Sequence, residues 1–157
     1  MGEENIVHAT VEDVVEMARI EQEAFSTPWS YDLLRAAVVN DLYDVRILRN
    51  GITPVIGFYI AHVPAERTLN LDNFAVETTL RGQGCGQRLL KDWIGLAHKR
   101  NSRLLSLQVN TKNDRARVLY ERYGFLVVKL LTSYYPNGDD AFHMEVPLDS
   151  LCDPQSA

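Results

Sequence analysis

The segment NFAVETTLRGQGCGQRLL, residues 73–90, joins an apolar stretch, three closely spaced glycines and an amphipathic helical pattern. Gly82, Gly84 and Gly86 stand at alternate positions in a chain that has only nine glycines. Glycine adopts backbone conformations that other residues avoid, and it lets a ligand approach the main chain. The unpaired amides and the dipole at the start of a helix attract anions. The segment therefore predicts a strand, a phosphate-binding turn and a helix, although a plain loop before a helix would use the same residues.

Hydrophobic periodicity along the whole chain predicts the element order β-α-α-β-β-β-α-β-α-β-β. This order is typical of an α/β protein with one mixed sheet and helices on both faces. The pair Asn50-Gly51 predicts a tight hairpin turn, and Gly124 predicts the end of the last helix. A length of 157 residues predicts one domain over residues 1–157, with a flexible tail from about residue 150.

Composition excludes several classes of function. The net charge is −5 and the basic residues form no long block, which disfavours a nucleic-acid partner. No apolar run has the length of a membrane-spanning helix, and the first residues lack the apolar core of a signal peptide. Cys85 and Cys152 show no metal-ligand spacing, so we expect no metal site, and two cysteines make no disulfide scaffold. These features favour a cytoplasmic protein without a membrane partner.

Two common phosphate-binding loops do not fit the glycine segment. A P-loop needs Gly-Lys-Ser/Thr, whereas Gly86 is followed by Gln87 and Arg88. The dinucleotide-binding fingerprint needs a glycine three residues after the second one, and Gln87 occupies that position.

A third pattern does fit. The stretch RGQGCG resembles the Arg/Gln-x-x-Gly-x-Gly/Ala pyrophosphate loop of the GNAT acetyltransferases. The later stretch NDRARVLYERYGF resembles the family's second segment, Asn-x-x-Ala-x-x-x-Tyr-x-x-x-Gly-Phe. The stretches AFSTPWS, LDNFAV, SYYP and DDAFHMEVP extend this likeness over nearly the whole chain, toward the bacterial enzymes that acetylate the N-terminus of a ribosomal protein. The resemblance implies the GNAT fold, with a single, mostly antiparallel mixed sheet.

The resemblance also implies that acetyl-CoA is the co-substrate. The amides from Gly82 to Gln87 would bind its pyrophosphate, and the backbone at Phe74 to Val76 would pair with its pantetheine arm. The cofactor-binding residues that follow from the family pattern are Phe74, Ala75, Val76, Arg81, Gly82, Gln83, Gly84, Cys85, Gly86, Gln87, Asn113 and Tyr120. Cys85 is expected to fill space in the loop rather than to act as a nucleophile.

Catalytic roles follow from the same resemblance. Tyr120 matches the family tyrosine that protonates the leaving thiolate, and its alternative is a buried aromatic on a helix face. Asn113 matches a cofactor-contacting asparagine, and its alternative is a helix N-cap. Gln108 stands where the ribosomal-protein enzymes carry a glutamate that acts as general base. Glutamine cannot accept a proton, so either Gln108 holds a water that relays the proton, or the chain has lost its activity. His143 is expected to be structural.

The acceptor is expected to be the N-terminal α-amine of a protein or peptide, with a ribosomal protein as one candidate. An α-amine with a pKa of about 8 is roughly one-tenth neutral at pH 7, so its deprotonation costs about 1.4 kcal/mol of free energy. Deprotonation of a lysine amine at pH 7 would cost about 4.6 kcal/mol of free energy, which a site without a carboxylate base would not offset. A small amine, an antibiotic, or a non-catalytic acyl-CoA-binding module are the alternatives.

The two loops that flank the acceptor groove in the family correspond to STPWS and TSYYPNGDD. Asp72 could attract an ammonium group, or it could be an ordinary solvent-facing strand residue. Tyr134 and Tyr135 could hold a peptide main chain, or they could be a strand-end aromatic pair. The expected acceptor-binding residues are Trp29, Asp72, Tyr134 and Tyr135, in a monomer or weak dimer.

Overall fold

A computed structural model describes residues 3–153. Within this range the element order is the predicted one. The strands are β1 (Asn5–His8), β2 (Tyr43–Arg49), β3 (Gly57–His62), β4 (Thr68–Val76), β5 (Leu104–Asn110), β6 (Leu126–Leu131) and β7 (Ala141–Pro147). The helices are α1 (Val14–Ala24), α2 (Tyr31–Val39), α3 (Cys85–Lys99) and α4 (Asp114–Arg122), together with three short 3₁₀ turns in the described chain.

The strands form one sheet in the order β1-β2-β3-β4-β5-β7-β6. The pairs β1–β2, β2–β3, β5–β7 and β6–β7 are antiparallel, and β4 pairs with β5 in parallel. The predicted α/β class and the mostly antiparallel mixed sheet are confirmed.

The chain divides into two compact units that share β4. Unit 1 contains residues 3–62 and 72–96, and unit 2 contains residues 63–71 and 97–153. The expectation of one domain over the whole chain stays a prediction.

In unit 1, helices cover both faces of the strands. Apolar side chains of α1 and α2 pack on one face of β2 and β3, against residues such as Ile47 and Phe58. On the other face, the hydroxyl of Tyr59 donates a 2.7 Å hydrogen bond to Asp92 of α3. Since successive side chains of a strand alternate between faces, Phe58 and Tyr59 must meet helices on opposite sides.

Unit 2 is built on the β5–β7 pair. Leu107 lies opposite Met144, and both are buried, whereas Gln108 lies opposite His143 on the alternate face. Helix α4 ends as predicted before Gly124, whose φ of 99° suits glycine.

The predicted flexible tail is held at its start. The amide of Cys152, two residues after the 3₁₀ turn at Leu148–Ser150, donates to the carbonyl of Tyr123 at 2.9 Å. The remainder of that predicted tail, residues 154–157, lies outside the described residues.

The predicted tight turn at Asn50-Gly51 is wrong. β2 ends at Arg49 and β3 begins only at Gly57, and Gly51 is not among the glycines with positive φ. The side-chain oxygen of Asn50 accepts hydrogen bonds from the amides of Ile52 and Thr53. This local Asx-type turn competes with a two-residue hairpin and opens a longer loop.

Candidate active site

The glycine loop lies in unit 1, directly before α3. Gly82 and Gly84 have φ angles of 82° and 81°, in the region that favours glycine. Within residues 3–153, no backbone carbonyl accepts the amides of Gly82, Gln83 or Gly84. A Cβ atom at Gly82 would meet nothing within 4 Å, so the loop has open space beside it. Unpaired amides next to a helix start are suited to bind an anion such as pyrophosphate.

Gly86 serves a different purpose from the other two glycines. Its φ is not positive, and a Cβ atom there would lie 3.4 Å from the ring of Phe74. Its small size therefore accommodates packing of the helix start on β4. Cys85 is buried, and Arg88 donates to its Sγ at 3.3 Å while pairing with Glu4 at 2.7 Å. The expectation that Cys85 fills space agrees with this burial.

The neighbouring residues of the loop differ in exposure. Arg81 and Gln83 are exposed, and Gln87 is half-buried. The side chains of Arg81 and Gln83 are therefore accessible beside the unpaired main-chain amides of Gly82, Gln83 and Gly84.

The second half of β4 has an open side. The β4–β5 ladder ends where Leu71 lies opposite Leu107. Within the described chain, the stretch Phe74 to Val76 therefore has a strand neighbour only on the β3 side. The free backbone groups of this stretch can pair with an extended ligand, as an added strand would.

Asp72 contacts a histidine at the end of β3. Nδ1 of His62 lies 2.6 Å from Oδ2 of Asp72, and the side chains are 30% and 14% exposed. The ring of Tyr43 packs on His62 with the centroids 5.3 Å apart. The structure thus places an imidazole against Asp72, a neighbour that the sequence pattern does not predict.

Trp29 belongs to a loop that a buried carboxylate holds. The Trp29 side chain is half-buried against the core of unit 1, and its amide donates to Glu21 at 3.1 Å. Asn73 of β4 donates to both Glu21 oxygens, at 2.9 and 3.0 Å. Burial raises the pKa of Glu21, and the hydrogen bonds from Asn73 and Trp29 oppose this shift. Glu21 thus ties α1, β4 and the Trp29 loop together.

Gln108 lies in unit 2 within a polar cluster. Its amide makes a reciprocal pair with Asn70, at 3.1 and 3.2 Å, and its Nε2 also donates to Nδ1 of His143 at 2.9 Å. Ser106 donates to the Asn70 oxygen at 2.7 Å. Nε2 of His143 lies 3.1 Å from Glu145. Both protons of the Gln108 amide are therefore used, while its oxygen accepts from Asn70 and keeps one lone pair.

Tyr120 is buried on α4, with its ring 5.9 Å from that of Phe125 in an edge arrangement. Burial raises the pKa of Tyr120, and the nearby phenol of Tyr135 adds to the shift. The pKa of Tyr135 rises to about 12, mainly through burial. Tyr120 therefore stays protonated at physiological pH, as a proton donor must.

Asn113 is an N-cap, because its side-chain oxygen accepts the Ala116 amide at 3.2 Å. This confirms the capping alternative for Asn113. Its expected contact with the cofactor stays a prediction.

Tyr134 and Tyr135 lie in the loop before β7, with ring centroids 5.0 Å apart and planes at 89°. Asp139 fixes this loop by accepting hydrogen bonds from Lys112, Asn110 and Asn137. These bonds, the Lys112 one foremost, lower the pKa of Asp139 to about 2. The two tyrosines are therefore presented by an ordered turn.

The structure places the predicted residues in two groups. Unit 1 contains the glycine loop, the Phe74–Val76 stretch, Asp72 and Trp29; unit 2 contains Gln108, Asn113, Tyr120, Tyr134 and Tyr135. Sequence reasoning missed His62, Glu21 and Asn70. An alignment of β3 with β4 as a hairpin across their short connection would have suggested that His62 lies next to Asp72.

Among residues 3–153, no helix is long and apolar enough to cross a bilayer. The same residues contain no group of three or more His, Cys, Asp or Glu side chains arranged to hold a metal ion.

Comparison with known proteins gives a consistent result. The family profile described as "Acetyltransferase (GNAT) domain" matches residues 44–127. The [Ribosomal protein bS18]-alanine N-acetyltransferase of Escherichia coli K12 is 32% identical over 132 residues, 82% of this chain and 87% of that protein. The enzyme of the same name from Haemophilus influenzae is 32% identical over 124 residues, 79% of this chain and 82% of that protein. The crystal structure of the ribosomal-protein-S18-alanine N-acetyltransferase from Escherichia coli superposes with a TM-score of 0.83 at 30% identity, covering 93% of this chain and 94% of the other.

Proposed function

The chain belongs to the GNAT acetyltransferase family, and from that membership we propose that it transfers acetyl from acetyl-CoA to the N-terminal α-amine of a protein. The observation that carries this proposal is the match, over most of both chains, to enzymes named for acetylating the alanine terminus of ribosomal protein bS18. A ribosomal protein is accordingly our first candidate for the acceptor. Neither a small amine nor an antibiotic is favoured by these relatives.

Acetyl-CoA would be held by main chain more than by side chains. We assign its pyrophosphate to the main-chain amides of the loop from Gly82 to Gln87, with Arg81 beside them. The open edge of β4 at Phe74 to Val76 would pair with the amides of the pantetheine arm. The open space beside Gly82 and the unpaired amides of Gly82, Gln83 and Gly84 support this assignment.

The chemistry needs a neutral amine, a polarised thioester and a proton for the leaving thiolate. We assign the last role to Tyr120, a buried phenol that is protonated at physiological pH. Asn113 is assigned to the cofactor as well as to the helix cap.

We propose that Gln108 orients the acceptor amine, or a water next to it. Its side-chain oxygen accepts one hydrogen bond from Asn70 and has a second lone pair for this contact. A well-satisfied polar cluster supports a specific role for this glutamine rather than the loss of function considered above. Because Gln108 cannot take up a proton, the amine must lose its proton elsewhere.

Trp29, Asp72, Tyr134 and Tyr135 are proposed to contact the acceptor peptide. The ordered turn that carries the two tyrosines and the loop held by Glu21 support this assignment. We further propose a cytoplasmic monomer or weak dimer without metal, nucleic-acid or membrane partners, in line with its unpaired cysteines and acidic charge.

A peptide panel tests the proposed function. Peptides that differ in their first residues, including an alanine terminus, are compared with the same peptides carrying a blocked terminus and an internal lysine. We expect release of free CoA only with an open α-amine, and mass spectrometry should place the acetyl group on it. Turnover on polyamines or aminoglycosides but not on peptides would refute the proposal.

A further inference from the structure

The structure offers a proton acceptor that lies outside the glycine loop and the Asn113–Phe125 segment. We propose that His62 and Asp72 form a dyad in which Nε2 of His62 removes the proton from the acceptor ammonium group. This inference rests on the proposed function, and it deepens it by naming the base.

The geometry of the pair fits this role. Nδ1 of His62 lies 2.6 Å from Oδ2 of Asp72, so the Nδ1–H donates to the carboxylate. This bond fixes the tautomer and leaves the lone pair of Nε2 available. Among the described residues, nothing hydrogen bonds that Nε2, and the His62 side chain is 30% exposed. An oriented, partly exposed imidazole backed by a carboxylate is a common arrangement for a general base.

The position along β4 supports the same role. Asp72 precedes the Phe74–Val76 stretch assigned to the pantetheine arm, and the pyrophosphate loop follows it. A cofactor bound at the loop and running back along β4 therefore brings its thioester toward Asp72. The titratable groups that contact His62 are Asp72 from β4 and Tyr43 from β2, which lies directly opposite His62.

The other histidines do not offer this combination. Both ring nitrogens of His143 are engaged, by Gln108 and by Glu145. His8 and His98 are exposed and have no carboxylate partner within residues 3–153. His62 alone among the described histidines pairs with a carboxylate through one nitrogen while the other stays open.

The ammonium transfers one proton to Nε2 of His62, which later releases it to solvent, and the neutral amine attacks the thioester carbonyl. The N–C bond forms and the C–S bond breaks. The second proton leaves the nitrogen through solvent, while the thiolate is protonated by Tyr120, which recovers a proton from solvent. One amide, one CoA thiol and one released proton result.

Three variants of the whole chain test the dyad on an alanine-terminated peptide: His62→Gln, Asp72→Asn and, as a matched control, His98→Gln. We expect the first two to lose kcat at pH 7 by roughly tenfold or more, because an α-amine with a pKa of about 8 is then only about one-tenth neutral. The deficit should shrink toward pH 9, where the amine is largely neutral without help. His98→Gln should match the natural protein at every pH.

Chemical rescue separates a base from a structural residue. His62→Ala should recover part of its lost turnover when free imidazole is added, and the KM for acetyl-CoA should stay unchanged. The dyad is overturned if His62→Gln keeps kcat within about twofold of the natural protein at pH 7. It is also overturned if His62→Ala, folded by circular dichroism, stays equally slow at pH 9 and with imidazole. Absence of peptide acetylation by the natural protein would instead refute the proposed function, and the dyad with it.

Discussion

Nε2 of Gln108 lies 2.9 Å from Nδ1 of His143. The Gln108 amide donates this hydrogen bond, because Glu145 accepts from the other ring nitrogen of His143 and thereby selects the Nε2–H tautomer. The orientation of Gln108 is thus set by a carboxylate on another strand. A glutamate in place of Gln108 would lack the side-chain NH2 group that donates hydrogen bonds to His143 and Asn70.

Gln108→Glu should therefore lower turnover at every pH between 6 and 9, by roughly tenfold. Two donated hydrogen bonds are replaced by contacts between acceptors, at a cost of about 1–3 kcal/mol for each buried group left unpaired. The check is kcat against pH on a peptide acceptor, with acetyl-CoA affinity measured by calorimetry as the control. A rise of kcat near pH 7 would mean that a carboxylate base suits this position better than the oriented amide does.

Gly84→Val should abolish measurable acetyl-CoA binding. A branched residue is strained at the φ of 81°, and its side chain would stand beside the amides assigned to the pyrophosphate. Gly95→Ala is the matched control, because nothing lies within 4 Å of a Cβ there, and it should stabilise α3 by about 1 kcal/mol. Calorimetric titration with acetyl-CoA measures the affinity of each variant, and thermal melts measure its stability. Natural affinity in folded Gly84→Val would remove the pyrophosphate assignment.

The sequence predicted the element order because hydrophobic periodicity reports which face of each segment is buried, and that burial is the main source of folding energy. The glycine loop was predictable for a similar reason, since positive φ at Gly82 and Gly84 restricts the residue type. The Asn50-Gly51 turn failed because a side-chain hydrogen bond to the local backbone outweighed the turn preference of the dipeptide.

Contacts between strands were the least predictable part of the candidate site. The pair His62–Asp72 depends on the register across the β3–β4 connection, and a shift by one residue would turn either side chain to the opposite face. The bonds that fix Gln108 depend likewise on the β5–β7 register. A motif within one segment indicates the role of a residue, but it does not reveal which side chains on neighbouring strands hydrogen bond that residue and orient it.

Tyr120→Phe should lower kcat by roughly 10²-fold while acetyl-CoA affinity stays within about twofold. The ring remains packed on Phe125, so only the proton donor is lost. Tyr123→Phe is the control, since its buried hydroxyl has no hydrogen-bond partner in the described structure and carries no proposed role. Steady-state kinetics with both variants make the test. Equal turnover in Tyr120→Phe and Tyr123→Phe would assign thiolate protonation to water.

Glu21→Gln should change how stability depends on pH. Burial raises the pKa of Glu21 in the folded state above its ordinary value of 4.5, so the folded protein holds this proton more tightly than the unfolded chain. Between the two pKa values the natural protein loses unfolding free energy as pH rises, because folding then requires either a buried charge or a bound proton. Glutamine at this position does not titrate, yet its side-chain oxygen can still accept from Trp29. The unfolding free energy of the natural protein minus that of Glu21→Gln, measured by urea denaturation, should therefore fall from pH 4.5 to pH 7. A constant difference would show that the Asn73 and Trp29 hydrogen bonds balance the effect of burial on the pKa of Glu21, and a difference that grows with pH would show that they exceed it.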